Sequence, residues 1–123
     1  ILNLLKIKSK NQPSTMQGYD LTPILKDPEK KVRDNCIIEE DQDYGDAKDS
    51  LNLPSMKVRT MITENHRITV YNNLDDDVGD LYDLKNDPHE LHNLWFDKSS
   101  NEIKNKLLNK MLREMIKLQD RTP

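Results

Sequence analysis

A chain of 123 residues, 34% hydrophobic and 33% charged, holds one domain with a lean core. Its net charge of −3, with both signs mixed along the chain, lacks the basic footprint of a nucleic-acid binder. No apolar run approaches the ~20 residues of a membrane span and no leader pattern is read, while the single Cys36 excludes an intrachain disulfide and leaves the compartment open. Ordering costs roughly 1.5 kcal/mol per residue, so marginal stability or reliance on a partner surface is expected.

In chain order, Ile1, Leu4 and Leu5 fall on one helical face with no cap before them, which reads as a truncated start. Residues 6–15 are polar, contain Pro13 and read as a loop. A short helix is predicted near residues 21–26, with Asp20 as its cap and Pro23 in its first turn. Residues 35–39 read as a strand through Cys36, Ile37 and Ile38, followed by an acidic exposed loop over 40–52. Residues 56–63 alternate, with Met56, Val58, Thr60 and Ile62 on one face and Lys57, Arg59, Met61 and Thr63 on the other. Residues 67–72 alternate again, and Glu64-Asn65 between the two runs predicts a tight hairpin. A turn over 73–78 leads to a strand over 79–84, and such short connections make antiparallel neighbours.

The strand over 79–84 runs into Asn86-Asp87-Pro88, a turn signal. Asp87, Pro88 and Glu90 form a D-x-x-E capping pattern with Pro at the first helical position, predicting one helical turn. Leu91, Leu94, Trp95 and Phe96 are expected to pin that turn onto the core. Ser99 and Glu102 form an S-x-x-E capping box before a helix running to about Gln119. Its apolar stripe comprises Ile103, Leu107, Leu108, Met111, Leu112, Met115 and Ile116. The sum is an α+β fold: a four-stranded antiparallel sheet packed against a C-terminal amphipathic helix, preceded by a short helical segment.

Gly79-Asp80-Leu81-Tyr82-Asp83-Leu84, then Asn86-Asp87-Pro88, then Glu90-Leu91-His92-Asn93-Leu94, resembles the C-terminal signature of the sulfatases. That signature is close to G-E-L-Y-D-L-x-x-D-P-x-E-x-x-N-L, with Asp80 here in place of Glu. The opening stretch resembles the family's segment that closes the large catalytic domain with a Q-G-x-S-L-x-P-L-L motif, here Gln17-Gly18-Tyr19-Asp20-Leu21-Thr22-Pro23-Ile24-Leu25. The resemblance implies that residues 1–30 end the catalytic domain and residues 31–123 form the C-terminal subdomain. It also implies that calcium and formylglycine belong to a catalytic part outside this chain.

Each cluster of reactive side chains has a plainer alternative. His89 and His92 share one side of a turn, but a metal needs a third ligand and none is predicted. Asp41 and Asp43 begin an EF-hand-like spacing that fails at Gly45, so a solvated acidic loop is the better reading. Sulfatases convert the Cys of C-x-P-x-R to formylglycine; Cys36 is followed by Ile37-Ile38-Glu39-Glu40, so a packed, inert thiol is expected. Arg59 and Arg67 either pair with surface carboxylates or receive an anion through the guanidinium fork. The resemblance puts the loop after the first strand, and the Arg59 strand, toward the rim of the substrate cleft, making Glu40, Asp41, Asp43 and Arg59 the rim candidates. No catalytic residue and no metal ligand is assigned. The expected role is a C-terminal piece of a sulfuric ester hydrolase that completes the fold and shapes the substrate entrance. The alternative is a free-standing interaction module. The expected partner is the missing catalytic domain, or a second copy meeting it through residues 1–30.

Overall fold

The computed structural model describes residues 2–8, 11, 18–42, 56–72 and 78–119. They belong to two compact units, Ile1–Asp34 with Arg113–Pro123, and Asn35–Leu112. Residues 43–52 of the expected loop over 40–52, including Asp43, lie outside the described residues.

In the first unit, residues 2–6 make a single turn rather than a helix. Lys6 has φ 56° and the amides of Lys6 and Ile7 reach back to the carbonyls of Asn3 and Leu2, the paired bonds that end a helix. The short helix α1 spans Thr22–Lys26. The N-cap position is Leu21, not the expected Asp20, and it carries no side-chain cap; Asp20, one residue earlier, accepts the Thr22 amide at 3.0 Å. No residue of α1 is buried.

In the second unit, β1 (Asn35–Gln42), β2 (Met56–Thr63), β3 (His66–Tyr71) and β4 (Gly79–Asp83) form one antiparallel sheet in the order β1-β2-β3-β4. The meander follows from the short connections, and Glu64-Asn65 is the two-residue hairpin loop that the sequence predicts. β1 is longer than expected and takes Glu40, Asp41 and Gln42 out of the predicted loop into the ladder.

Register fixes the two faces. Ile37, Met61, Ile68 and Leu81 stand opposite one another across all four strands. Met61, Ile68 and Leu81 are 0% exposed and form the centre of the core, joined by Trp95, Leu107 and Met111. The other face carries Cys36 with Ile62, Thr60 with Thr69, and Arg67 with Tyr82. Thr69 is buried there, and its hydroxyl is 3.0 Å from that of Thr60, which satisfies both without water.

The C-terminal helix α2 spans Asn101–Gln119. Leu107 and Met111 of its stripe are buried, whereas Leu112 and Ile116 are about half exposed. Its start corrects the expected capping box. A 3-10 turn at Lys98–Ser100 leads into the helix and takes up Ser99, and Asp97 caps that turn: it accepts the Ser99 amide at 2.9 Å and both serine hydroxyls. A carboxylate is the stronger acceptor at this positive helix end, so it outcompetes the serine.

The corner after β4 is a second correction. No helical turn forms at Pro88. Asp87–Glu90 is a single turn closed by the Glu90 amide on the Asp87 carbonyl, and Glu90 adopts φ 54°. Asp87 accepts from the His92 amide at 2.9 Å rather than capping a helix. Glu90 turns its carboxylate to Arg67 instead of back to a cap. Of the four expected anchors Trp95 is buried and Leu94 half-buried, while Leu91 and Phe96 are 74% and 67% exposed.

Candidate functional site

Two polar groupings stand out on the sheet. The first is built on the segment following β4. Gly79 begins that strand, and a Cβ there would lie 2.5 Å from two ring carbons of Trp95 and 2.7 Å from the Thr69 carbonyl oxygen. Only glycine admits so close an approach. Asn93 then acts with both ends of its amide. Its Oδ1 accepts the amides of Leu81 and Trp95, each at 3.0 Å, and its Nδ2 donates to the Gly79 carbonyl at 3.1 Å and to Asp80 at 2.9 Å. Asp80 also accepts the Tyr71 hydroxyl at 2.6 Å. Burial and this carboxylate push the Tyr71 phenol up to about 12. Arg67 lies over the Tyr82 ring, 4.8 Å from its centroid, and pairs with Glu90. Asp83 accepts from the Lys85 and Asn86 amides and the Asn86 side chain; these bonds, the Asn86 side chain foremost, hold its carboxyl below the ordinary value. The bonds from the His92 and Leu91 amides do the same for Asp87.

The second grouping holds the rim candidates. Arg59 donates from Nη1 to Asp41 at 2.6 Å and lies 3.3 Å from Glu39 through Nε, and Nη1 also reaches the Val58 carbonyl at 2.9 Å. The bond to Arg59 lowers the Asp41 carboxyl below its ordinary value, and the same bond raises the guanidinium. Arg59, Asp41 and Glu39 share the face of the buried row, with Arg59 and Glu39 two positions along from Met61 and Ile37 and Asp41 two further on. Glu40 alternates to the opposite face and accepts from Gln42 at 2.8 Å. The structure therefore brings Asp41 to Arg59 and turns the Glu40 side chain away from both, while the Glu40 carbonyl still accepts from Arg59 Nη1 at 3.4 Å. Glu39, which sequence reasoning missed, completes the ion group; its period-2 spacing from Asp41 was the available signal.

Nothing in either grouping fits a catalytic centre. Among the described residues no three His, Cys, Asp or Glu side chains gather to hold a metal ion. His92 is 81% exposed, and its Nδ1 lies 3.6 Å from Asp87. Cys36 sits half-buried in β1 with its thiol toward the Ile37 carbonyl, without the C-x-P-x-R surroundings. Among the described residues no side-chain set is gathered that would hold calcium, and Cys36 lacks the motif that formylglycine requires.

The contacts of Gly79, Asp80 and Asn93 give these signature residues structural tasks, and comparison with known proteins agrees. Residues 2–117 match the family described as N-sulphoglucosamine sulphohydrolase, C-terminal. The chain belongs to this sulfatase C-terminal family. A structure of BT4656 in complex with its substrate D-glucosamine-2-N,6-O-disulfate superposes on 99% of the chain with a TM-score of 0.74 at 18% identity. A structure described as a sulfatase from Bacteroides thetaiotaomicron superposes on 97% with a TM-score of 0.76 at 22% identity. An uncharacterized protein of Haemophilus influenzae is 48% identical over 44 residues, 36% of this chain and 23% of that protein. The chain spans 23% of the length of each of the two solved proteins, and their likeness at such identity is one of fold. No described helix is long and apolar enough to cross a membrane.

Proposed function

We propose that this chain serves as the C-terminal part of a sulfuric ester hydrolase acting on a sulfated glucosamine, completing the fold and shaping the substrate entrance without supplying the reaction. The observation that carries this reading is the family match over residues 2–117. The sulfated amino sugar is supported by the family's description and by the substrate in the BT4656 complex. Calcium and formylglycine would then be held by the catalytic part of the whole enzyme. The outer end of β1 and Arg59 would contribute to the rim. There Arg59 is already balanced by Glu39 and Asp41, so it would shape the entrance as a fixed ion group more than as a free anion receptor.

The exposed Leu4, Leu5, Leu21 and Leu25 support a partner surface on residues 1–30, met by the catalytic domain or a second copy. The coding sequence upstream of Ile1 tests the reading. A C-x-P-x-R motif in the same frame is expected, and an initiator Met immediately before Ile1 would replace the reading with a free-standing interaction module. The chain alone should not cleave an aryl sulfate with calcium present. Turnover that co-purifies with it and disappears in Cys36→Ser would overturn the proposal.

A further inference from the structure

β4 is the last strand in the sheet order, so among the described residues one of its sides has no neighbouring strand. Such a side presents backbone donors and acceptors that template the addition of a foreign strand. Here four of the groups on that side are taken by the chain's own next segment. The Gly79 carbonyl receives Asn93 Nδ2, and the Leu81 amide gives to Asn93 Oδ1. The Leu81 carbonyl receives the Leu94 amide at 2.8 Å, and the Asp83 carbonyl receives the Asp87 amide at 2.7 Å.

We propose that residues 84–96 are a strap that guards the β4 edge, fastened by Asn93, so that no strand adds to the sheet through β4. Two further contacts hold the strap against the sheet. Glu90 keeps a left-handed backbone while its carboxylate reaches Arg67 on β3, and the Trp95 ring rests on the bare Cα of Gly79. Asn93 is suited to its place because one planar amide offers an acceptor and a donor together, matching an amide and a carbonyl two residues apart on an extended edge. An aspartate would keep the first match and lose the second.

The test uses the full chain with Asn93→Ala and Asn93→Asp, and Asn109→Ala as control, since Asn109 donates to the Asn105 carbonyl within α2 at 2.9 Å. Hydrogen exchange is read at the Leu81 and Leu94 amides, and sedimentation is read against the parent at equal concentration. In Asn93→Ala the Leu81 amide, which loses its acceptor, should exchange on the order of tenfold faster or more, and the Leu94 amide should follow because its bond to the Leu81 carbonyl opens as the strap loosens. Amides of β2 should exchange as in the parent, and larger species should appear. Asn93→Asp should fall between the parent and Asn93→Ala, and the control should match the parent. Should the alanine variant unfold, the aspartate variant is judged by the same two readings. Unchanged exchange at Leu81 in a folded variant would overturn the fastener. Faster exchange without added association would overturn the guard.

Discussion

The two units of this chain differ in what they do with their apolar side chains. Asn35–Leu112 closes on itself: Met61, Ile68 and Leu81 are wholly withdrawn from water, with Trp95, Leu107 and Met111 around them. In the other unit no described residue is buried, and Leu4, Leu5, Leu21 and Leu25 stand more than half exposed. Both stretches look equally apolar in sequence. The difference teaches that a sheet with one row of side chains across four strands can make a core from few residues. A single turn and a five-residue helix cannot.

The largest expected effect breaks this comparison if it fails. Ile68→Ala should destabilise the chain by about 2–5 kcal/mol in denaturant melts, through lost burial and a cavity. Leu25→Ala should stay within about 0.5 kcal/mol of the parent, as should Leu91→Ala. Equal costs for Ile68 and Leu25 would mean that the first unit has a core after all. A cost at Leu91 near that of Ile68 would restore it as an anchor. Gly79→Ala comes next, at about 1–3 kcal/mol, because the added methyl must displace the Trp95 ring or the Thr69 backbone. Its tryptophan emission should shift to the red, and an unshifted, fully stable variant would disprove the close contact.

The smallest effect is alkaline. Tyr71 ionises near 12 when folded and near 10 when unfolded, so its contribution is complete below 10 and is lost as the pH rises towards 12. Phenolate absorbance should show one late step in the folded chain that Tyr71→Phe removes. Tyrosines that all titrate together would disprove the Asp80 contact.

The strap shows where sequence reasoning stopped. Its turn is legible in Asn86-Asp87-Pro88, but the D-x-x-E pattern at Asp87 predicts a helical turn that does not form. Capping is a local preference worth about a kilocalorie, whereas Glu90 has a charged partner in Arg67, 23 residues away in the chain. Likewise the S-x-x-E box at Ser99 gave way to Asp97, two residues earlier. Arg59 shows the opposite case. Its pairing with Asp41 follows once β1 is known to extend through Gln42, yet Glu40 and Asp41 read equally well as loop from composition.

By itself the sequence determined the α+β class, the three consecutive antiparallel strands, the long C-terminal helix and the family. Each of these is carried by periodicity, turn residues or a spaced motif, all local in the chain. Only the tertiary structure decided which face of the sheet is the core, which leucines are withdrawn from water, and which carboxylate meets which arginine. Those outcomes depend on register between strands and on contacts across long stretches of chain, where one residue of slip turns every side chain to the other face.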